Sequence, residues 1–175
     1  MTNFKLIISF SLILFFSTTI FSHGPSRQKV SESIEINASA DDVWKIVSNF
    51  SNFKWNENIE NVEVSSNEIG SERIIKLKSG GIIKQKLEKL NSEKMMISWR
   101  VIETDNKTLP VNSYAAKVFV KNNENKTTVS YKTGFYRGFM GNDPPPELND
   151  ENSKKLVKLF VTENLKGLKK LVEGK

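Results

Sequence analysis

Most of the chain between residues 29 and 135 alternates between apolar and polar positions with a period of two, which is typical of half-buried β-strands. In the first run, Val30, Ile34 and Ile36 fall on one face. Six further runs follow from residue 59, and turns such as "NEIGS", "SGG" and "NNEN" separate several of them. Because turns this short join antiparallel neighbours, the last six strands form a meander. The predicted strands are 29–37, 59–66, 72–78, 82–90, 95–102, 111–121 and 126–135.

Three other segments have the pattern of helices. Ser39 and Asp42 have the spacing of a capping box, and an apolar stripe follows as far as residue 47. The aromatic residues of segment 50–55 indicate a short turn or a second short helix, and the pattern of residues 150–172 indicates a long helix. The apolar stripe predicted for the long helix consists of Leu156, Phe160, Leu165, Leu168 and Val172.

This order of elements predicts an α+β fold of the helix-grip type. A single antiparallel sheet of about seven strands must curl, and the long C-terminal helix has to bury its apolar stripe in the concave face. Two short helices follow the first strand. Packing of this kind tends to leave a cavity between helix and sheet. The chain has no internal repeat or linker, so residues 23–175 form one domain.

The first 22 residues have the outline of a cleavable secretory signal peptide. Lys5 precedes an uncharged run of Leu, Ile, Phe, Ser and Thr, and the small residue Ser22 stands where cleavage would leave His23 as the new N-terminus. The alternative is an uncleaved N-terminal anchor, but the apolar run is shorter than the roughly 20 residues that a spanning helix needs. Cleavage removes one lysine and no acid, which leaves 25 basic against 20 acidic residues, a net charge of +5.

The chain has few residues of the kinds that perform catalysis or bind metals. It contains no cysteine, and His23 is its only histidine. Catalytic triads and zinc sites of the usual types are therefore excluded, as are disulfides. We expect neither a metal nor a cofactor, and no catalytic residue is assigned. In an exported protein, the positive charge favours an acidic protein or a membrane surface over nucleic acid as a partner.

The segment "GFYRGFMGNDPPPELND", residues 134–150, connects the last strand to the long helix. Its three prolines fix an extended path, but a connector does not need so many aromatic residues. Such residues are enriched at the centres of protein interfaces, so we expect this loop to dock a partner or to gate the cavity. The alternative is that its rings fold back and plug the cavity. The predicted docking loop comprises Tyr136, Arg137, Phe139, Met140, Asn142, Asp143, Pro144, Pro145 and Pro146.

The alternation also places polar and aromatic side chains inside the sheet. Glu32 and Gln85 share faces with apolar neighbours, although Glu32, near a strand end, is better explained as reaching water, because buried glutamate is rare. The inward-facing aromatic residues line either a ligand cavity or a solid core. The predicted cavity-lining residues are Glu32, Gln85, Trp99, Tyr114, Tyr131 and Phe160.

The hairpin "KLKSGGIIKQK" carries two pairs of lysines, Lys76 with Lys78 and Lys84 with Lys86. If the pairs lie together they form a basic patch that attracts an acidic partner in a salt-sensitive way. Lysines on an exposed strand also protect a sheet from aggregation. The sequence does not separate these two roles.

The chain resembles the START-like superfamily, also called SRPBCC or helix-grip proteins, in its alternating first strand, in "NAS" at 37–39 and "VW" at 43–44, and in the aromatic segment that ends at Trp55. "HGPSRQKVSESIEI" at 23–36, "LPVNSY" at 109–114 and "FYRGFMGNDPPPELND" at 135–150 are similar to the MxaD family, periplasmic accessory proteins of bacterial methanol oxidation. The resemblance implies a periplasmic, non-enzymatic helper that binds methanol dehydrogenase, its cytochrome c acceptor, or both.

Three hypotheses about function follow. The first is the accessory protein implied by the resemblance, which favours the productive interaction of the dehydrogenase with its cytochrome and does not remain inserted in the membrane after signal cleavage. The second is a carrier or sensor of a small apolar ligand held in the helix-grip cavity. The third is a cyclase-like enzyme, which needs an internal acid and base and ranks last, because Glu32 is the only internal candidate for either role.

Overall fold

The computed structural model of the protein describes residues 24–124 and 126–174. The predicted signal peptide, residues 1–22, and His23 lie outside the described residues. Within the described part of the chain, no helix has the length and apolar character needed to cross a membrane.

The sheet has seven strands: β1 (Gln28–Ile36), β2 (Ile59–Val64), β3 (Glu72–Leu77), β4 (Ile82–Asn91), β5 (Met96–Thr104), β6 (Val111–Asn123) and β7 (Lys126–Arg137). They lie in the order β1-β7-β6-β5-β4-β3-β2, and every neighbouring pair is antiparallel. Strands β2 to β7 are a meander, as predicted, and β1 pairs with β7, where Glu32 lies opposite Tyr131. The first and last strands of the described chain are therefore neighbours in the sheet.

Two α-helices accompany the sheet. Helix α1 (Ala40–Val47) begins after Ser39, whose side-chain oxygen accepts a hydrogen bond from the backbone N–H of Asp42 at 3.1 Å. Helix α2 (Asp150–Glu173) begins after Asn149, which caps the N–H of Asn152 at 2.8 Å. A single 3-10 turn (Pro146–Leu148) precedes α2. The predicted helix-grip architecture, a curled sheet around a long C-terminal helix, is confirmed.

The predicted second short helix at 50–55 is wrong. The segment is a series of turns in which Phe50, Phe53 and Trp55 are all buried. These large rings provide enough apolar contact to hold the segment against the core without a hydrogen-bonded helical turn.

The buried face of helix α2 overlaps the predicted stripe only in part. Leu165 and Leu168 are buried as expected, but Leu156 and Phe160 are only partly buried. Small and β-branched side chains allow a closer approach of the helix to the sheet than Leu and Phe would. The buried residues of α2 are Ser153, Val157, Val161, Asn164, Leu165 and Leu168.

Gly167 marks the closest approach of α2 to the rest of the fold. A Cβ atom at this position would lie 1.2 Å from the backbone oxygen of Trp55. The helix therefore rests directly on the backbone of the 50–55 segment.

The end of α2 is tied to the first strand. Lys169 Nζ donates a hydrogen bond to the backbone oxygen of Glu35 at 2.6 Å, and Glu173 accepts one from the N–H of Asn37 at 2.8 Å. These bonds join residues 134 and 136 positions apart. The last turn of α2 thus fixes the helix across the concave face of the sheet.

Candidate functional site

A buried arginine lies in the interior of the fold. Arg73 is on β3, opposite Gln85 on β4, and is 2% exposed. Its Nε and Nη2 atoms donate hydrogen bonds to Gln85 Oε1 at 2.9 and 2.6 Å, and Nη1 donates to the backbone oxygen of Phe50 at 3.0 Å. No Asp or Glu within residues 24–124 and 126–174 forms an ion pair with it.

Three aromatic rings surround the Arg73 guanidinium. Its central carbon lies 4.2 Å from the ring centre of Phe50, 3.8 Å from that of Phe53 and 4.7 Å from that of Trp99. Desolvation by burial lowers the pKa of Arg73 to about 9, so the side chain remains protonated at neutral pH. Aromatic faces and neutral hydrogen-bond acceptors are thus the groups that stabilise this charge.

Two tyrosines extend this group. The ring of Trp99 meets that of Tyr131 edge-on at 5.6 Å, and the hydroxyls of Tyr131 and Tyr114 are 3.4 Å apart. Burial raises the pKa of Tyr131 to about 12 and raises that of Tyr114 well above 10. Both hydroxyls are therefore protonated at neutral pH. We call the whole group the arginine cluster: Phe50, Phe53, Arg73, Gln85, Trp99, Tyr114 and Tyr131.

Donors in the arginine cluster outnumber acceptors. Gln85 Nε2 is buried without a hydrogen-bond partner, and the N–H of Trp99 approaches the hydroxyl of Tyr131. In the Tyr114–Tyr131 pair one hydroxyl donates to the other, which leaves the second hydrogen free. On α2, the side chain of Asn164 is also buried with neither polar atom bonded. Buried polar groups are normally paired, so these unpaired groups are candidates for contact with a bound molecule.

A groove opens at the surface between α2 and the sheet. It has a volume of about 250 Å³ and is lined on one side by Leu156, Leu159 and Phe160 of α2. Leu77 at the end of β3 and Leu109 in the β5–β6 loop line the other side. Leu159 is 58% exposed, although it belongs to the apolar wall. These walls suit the apolar part of a small molecule. Polar residues complete the lining: Asn56, Asn58, Lys78, Ser79, Thr108 and Glu163.

The predicted cavity-lining residues divide between these two places. Gln85, Trp99, Tyr114 and Tyr131 are buried in the arginine cluster, and Phe160 lines the groove. Glu32 lies apart from both. Its carboxylate is partly exposed and faces Lys158 Nζ of α2 at 3.6 Å, in agreement with the expectation that it reaches water.

Arg73 is not among the residues that the sequence pattern predicts to face the interior. Segment "ERIIKL" has apolar residues on both faces, so alternation alone does not say whether Arg73 or Ile74 points inward. The register of the β3–β4 hairpin shows that Arg73 points inward, because it lies opposite the inward-facing Gln85. Pairing the two strands through the "SGG" turn would have identified it.

Arg137 of the predicted docking loop belongs to the protein interior, and its expected place on an exposed docking surface is wrong. It is 5% exposed. Nε donates to the backbone oxygen of Phe139 at 2.8 Å, Nη2 to that of Gly141 at 2.7 Å, and Nη1 to Asp150 Oδ2 at 2.9 Å. Because its donors hold two backbone carbonyls and the first residue of α2, Arg137 sets the shape of the loop.

The other loop residues are more accessible. Phe139 and Met140 are 37% and 51% exposed. Asn142, Asp143 and Pro146 are exposed, while Tyr136, Pro144 and Pro145 are half-buried, and Tyr136 packs under Arg27 at 5.7 Å. The exposed apolar part of the loop is therefore the pair Phe139 and Met140.

The four lysines of the predicted basic patch do not form one uninterrupted positive surface. Lys76 pairs with Glu63 at 2.6 Å, and Lys84 pairs with Glu103 at 2.5 Å. Lys86 lies opposite Glu72 in the hairpin, and Lys78, beyond the end of β3, lines the groove beside α2. Carboxylates on the neighbouring strands balance much of the charge.

No part of the described chain gathers three or more His, Asp or Glu side chains into a group suited to hold a metal ion. The chemistry that the two sites offer is instead apolar contact in the groove and hydrogen-bond donation in the arginine cluster.

Comparison with known proteins assigns the fold to a family. The family model for polyketide cyclase/dehydrase and lipid transport proteins matches residues 27–173. Comparison with curated proteins gives no significant match.

Solved structures share the fold at low sequence identity. An uncharacterised protein from Bacillus thuringiensis is 21% identical with a TM-score of 0.70, over 83% of this chain and 99% of that chain. The Zhui aromatase/cyclase from Streptomyces sp. R1128 is 16% identical with a TM-score of 0.66, over 85% and 94%. Norcoclaurine synthase from Thalictrum flavum is 18% identical with a TM-score of 0.64, over 98% of both chains. Since the family model spans nearly all of the described residues, the chain belongs to the polyketide cyclase/dehydrase and lipid transport family.

Proposed function

We propose that the protein binds a small, largely apolar molecule between α2 and the sheet. The observation that carries this proposal is the apolar groove, whose walls include the exposed Leu159 and the partly exposed Phe160. Its volume of about 250 Å³ lies just below the roughly 300–1,000 Å³ of sites for drug-sized ligands. The ligand is therefore smaller than a typical drug molecule.

Two further findings support a ligand-binding role. The family description includes lipid transport. The structure of norcoclaurine synthase, which has the same fold, was determined in complex with dopamine and hydroxybenzaldehyde, two small aromatic molecules. Both are properties of other proteins, and they support the proposal at the level of the fold.

We propose that binding occurs without catalysis. The arginine cluster contains no carboxylate and no imidazole. Its tyrosines are protonated at neutral pH, because burial raises the pKa of both, so neither serves as a general base there. A carrier or sensor is consistent with these residues.

The test is ligand binding by the wild type and by a matched pair of helix variants. Leu159→Gln places a polar side chain in the groove wall, and Leu171→Gln makes the same change at a residue of α2 that is 47% exposed and does not line the groove. We expect an environment-sensitive apolar dye and any copurifying molecule seen by mass spectrometry to bind the wild type and Leu171→Gln, and to bind Leu159→Gln more weakly. Equal binding by all three proteins would refute a site in the groove.

A second candidate function is the accessory role in methanol oxidation that the MxaD resemblance implies. In this proposal the protein is exported to the periplasm after cleavage behind Ser22 and docks on methanol dehydrogenase or its cytochrome c. The observation that favours it is the exposed pair Phe139 and Met140 on a loop that Arg137 holds in place. Solvent-exposed aromatic and Met side chains on a fixed backbone are suited to an interface centre.

Binding to purified methanol dehydrogenase and to its cytochrome tests this second candidate. The double variant Phe139→Ser/Met140→Ser removes the exposed pair and leaves Arg137 in place. Ile69→Ser, at a residue 65% exposed in the β2–β3 turn, is the control. We expect loss of binding in the double variant alone. Weaker binding at higher salt would indicate that Lys76, Lys84 and Lys86 contribute. If neither partner binds the wild type at low salt, this function is refuted and the ligand-binding proposal is unaffected.

A further inference from the structure

Strands β5 and β6 are paired for only part of their length. Their register ends where Arg100 lies opposite Ala115, although β5 continues for four more residues and β6 begins four residues earlier. A cavity of about 260 Å³ lies between the diverging segments 101–104 and 111–114 and is lined by residues of both. The sheet therefore has an opening between two of its middle strands, which we call the strand gap.

The strand gap offers main-chain groups to an additional strand. Within the described sheet, segments 101–104 and 111–114 have no register partners in each other, so backbone N–H and C=O groups that face the gap lack a partner strand. Ser113 has a φ of 50°, and the β6–β7 register shifts between Asn112 and Ala115, so β6 bends at this point. Ser113 is exposed, and so is the apolar Ile102 on β5. Extended segments of other chains add to such strand edges through main-chain hydrogen bonds.

A larger cavity of about 670 Å³, the outer cavity, continues from the strand gap, since Ile102 and Ser113 line both. It lies on the outer face of the sheet, where Arg100 alternates with the buried Trp99. One register row crosses this face, and its middle members have the smallest side chains, which leaves a hollow between charged residues. The row is Glu72, Lys86, Arg100, Ala115, Gly134 and Lys29.

Cations outnumber carboxylates around the outer cavity. Its charged lining residues are Arg27, Lys86, Arg100, Glu72 and Glu88. Glu88 pairs with Arg100 at 3.2 Å. Arg27 lies over Gly134, where an added Cβ would be 2.8 Å from its Nη2. No carboxylate of the described chain forms an ion pair with Arg27 or Lys86, so both cations are available to an anionic partner.

Two lysines lie opposite each other on the same outer face. Lys117 of β6 is in register with Lys132 of β7, and both are exposed. Like charges directly opposite one another destabilise a sheet. No Asp or Glu within residues 24–124 and 126–174 forms an ion pair with either lysine. At about 3.3 Å per residue, the pair lies roughly 7 Å from the row that contains Ala115 and Gly134. A partner with carboxylates at this place would remove the repulsion.

We propose that the outer face of the sheet binds an extended acidic peptide segment of another protein. One end of the segment forms main-chain hydrogen bonds in the strand gap. The rest crosses the hollow, where its carboxylates contact Arg27 and then Lys117 and Lys132. A strand of about eight residues covers this path, with four in the gap and four over the two register rows.

The strand gap favours a peptide over an anionic membrane, because a lipid surface has no backbone that could pair with β5 or β6. The site lies on the opposite face of the sheet from α2, and it shares neither the groove nor the exposed pair Phe139 and Met140. The proposal is therefore independent of both candidate functions, and its failure would leave them unchanged.

The first test separates charge from main-chain pairing with three fluorescein-labelled peptides of about ten residues. In the first, glutamate alternates with valine and threonine; the second has glutamine in place of each glutamate; the third is the acidic peptide N-methylated at alternate residues. We expect fluorescence anisotropy with residues 23–175 at low salt to show that the acidic peptide binds at least about tenfold more tightly than either of the others. Equal binding of the glutamine peptide would overturn the acidic specificity, and equal binding of the N-methylated peptide would overturn the strand pairing.

A pair of lysine variants locates the site. Lys117→Gln/Lys132→Gln removes the opposed lysines, and Lys154→Gln/Lys155→Gln makes the same change in net charge at exposed positions of α2. We expect the first variant to bind the acidic peptide at least about fivefold more weakly and the second to bind it like the wild type. The first variant should also be at least as stable as the wild type, because it loses a like-charge pair. Equal weakening in both variants would reduce the effect to net charge and overturn the site.

Hydrogen exchange of the wild type examines the strand gap without a variant. We expect the acidic peptide to slow amide exchange in 101–104 and 111–114, because their free N–H groups gain partners. Unchanged exchange there at saturating peptide would overturn the pairing. Vesicles of phosphatidylcholine with phosphatidylglycerol test the other anionic surface. Sedimentation of the protein with these vesicles, together with no binding of any peptide, would show a membrane surface and overturn the proposal.

Discussion

Replacing Gly167 by alanine should destabilise the protein, although the same change normally strengthens a helix. Alanine is favoured over glycine in a helix interior by about 1 kcal/mol. Here the added Cβ would lie 1.2 Å from the backbone oxygen of Trp55, whereas real Cβ atoms essentially never approach within 3.0 Å. Helix and turn must separate by the difference, about 1.8 Å, because a backbone oxygen cannot rotate away as a flexible side chain can.

The magnitude follows from the packing around that contact. Val161, Leu165 and Leu168 of α2 are buried, and each contributes roughly 1.5–3 kcal/mol when fully packed. A gap of 0.5–1 Å already removes about a quarter to a half of a dispersion contact. If each of the three residues loses a quarter to a half of its contribution, the free energy of unfolding falls by roughly 1–4 kcal/mol. After the gain in helix propensity, we expect a net loss of about 2 kcal/mol in the free energy of unfolding.

Urea denaturation followed by far-ultraviolet circular dichroism measures the effect. Lys166→Ala, at the preceding exposed position, is the matched control and should change stability by no more than about 0.5 kcal/mol. A Gly167→Ala protein that is as stable as the wild type, or more stable, would refute the argument that α2 rests on the Trp55 backbone. The same displacement should alter ligand affinity, because α2 forms one wall of the groove.

Three further predictions concern the loop, the tyrosines and the first helix. Arg137→Ala should lower the unfolding free energy by about 2–4 kcal/mol in urea denaturation, because it removes the charged donors bonded to the backbone oxygens of Phe139 and Gly141; a loss below 1 kcal/mol would contradict this. Stability should fall as pH rises from 10 towards 12, since Tyr114 and Tyr131 have raised pKa values when folded and ionise first in the unfolded chain, an effect that outweighs the opposite contribution of Arg73. Melting temperatures of the Tyr→Phe variants across that range check the sign, because each variant should lose part of the decline. Ser39→Ala removes the cap of α1 and should cost about 1 kcal/mol by thermal denaturation, and no change would show that the cap is dispensable.

The strands could be predicted from the sequence because each has one buried face. Alternation and short turns specify both the strand and its pairing, and the predicted boundaries differ from the observed ones by only a few residues. The helix predicted at 50–55 was wrong because the segment has no pattern that specifies one structure. Three aromatic residues in six positions fit a helix or an aromatic-rich turn equally well, and the choice depends on where the core lies.

The buried face of α2 and the buried arginine depend on tertiary contacts. Apolar residues occur nearly all round α2 between 156 and 161, so its period does not identify a single inner face. Ser153, Asn164 and Gly167 lie on the side of α2 that packs closely against the fold, because they are small or because the sheet surrounds them. None of the three is apolar enough for the sequence to predict that it faces inward. The alternation that identifies the strands places charged residues on the outer face of the sheet. It therefore does not predict that Arg73 is buried.

The bonds between the end of α2 and β1 bear on the order of folding. The hydrogen bonds of Lys169 and Glu173 join the last described helix to Glu35 and Asn37 in the first strand region, across almost the whole domain. Strand β1 likewise completes the sheet only by pairing with β7. A topology dominated by contacts between distant residues folds slowly. During synthesis, the concave face of the sheet therefore stays uncovered until the final 24-residue helix is available, so a chain shortened within α2 should expose this apolar surface and aggregate.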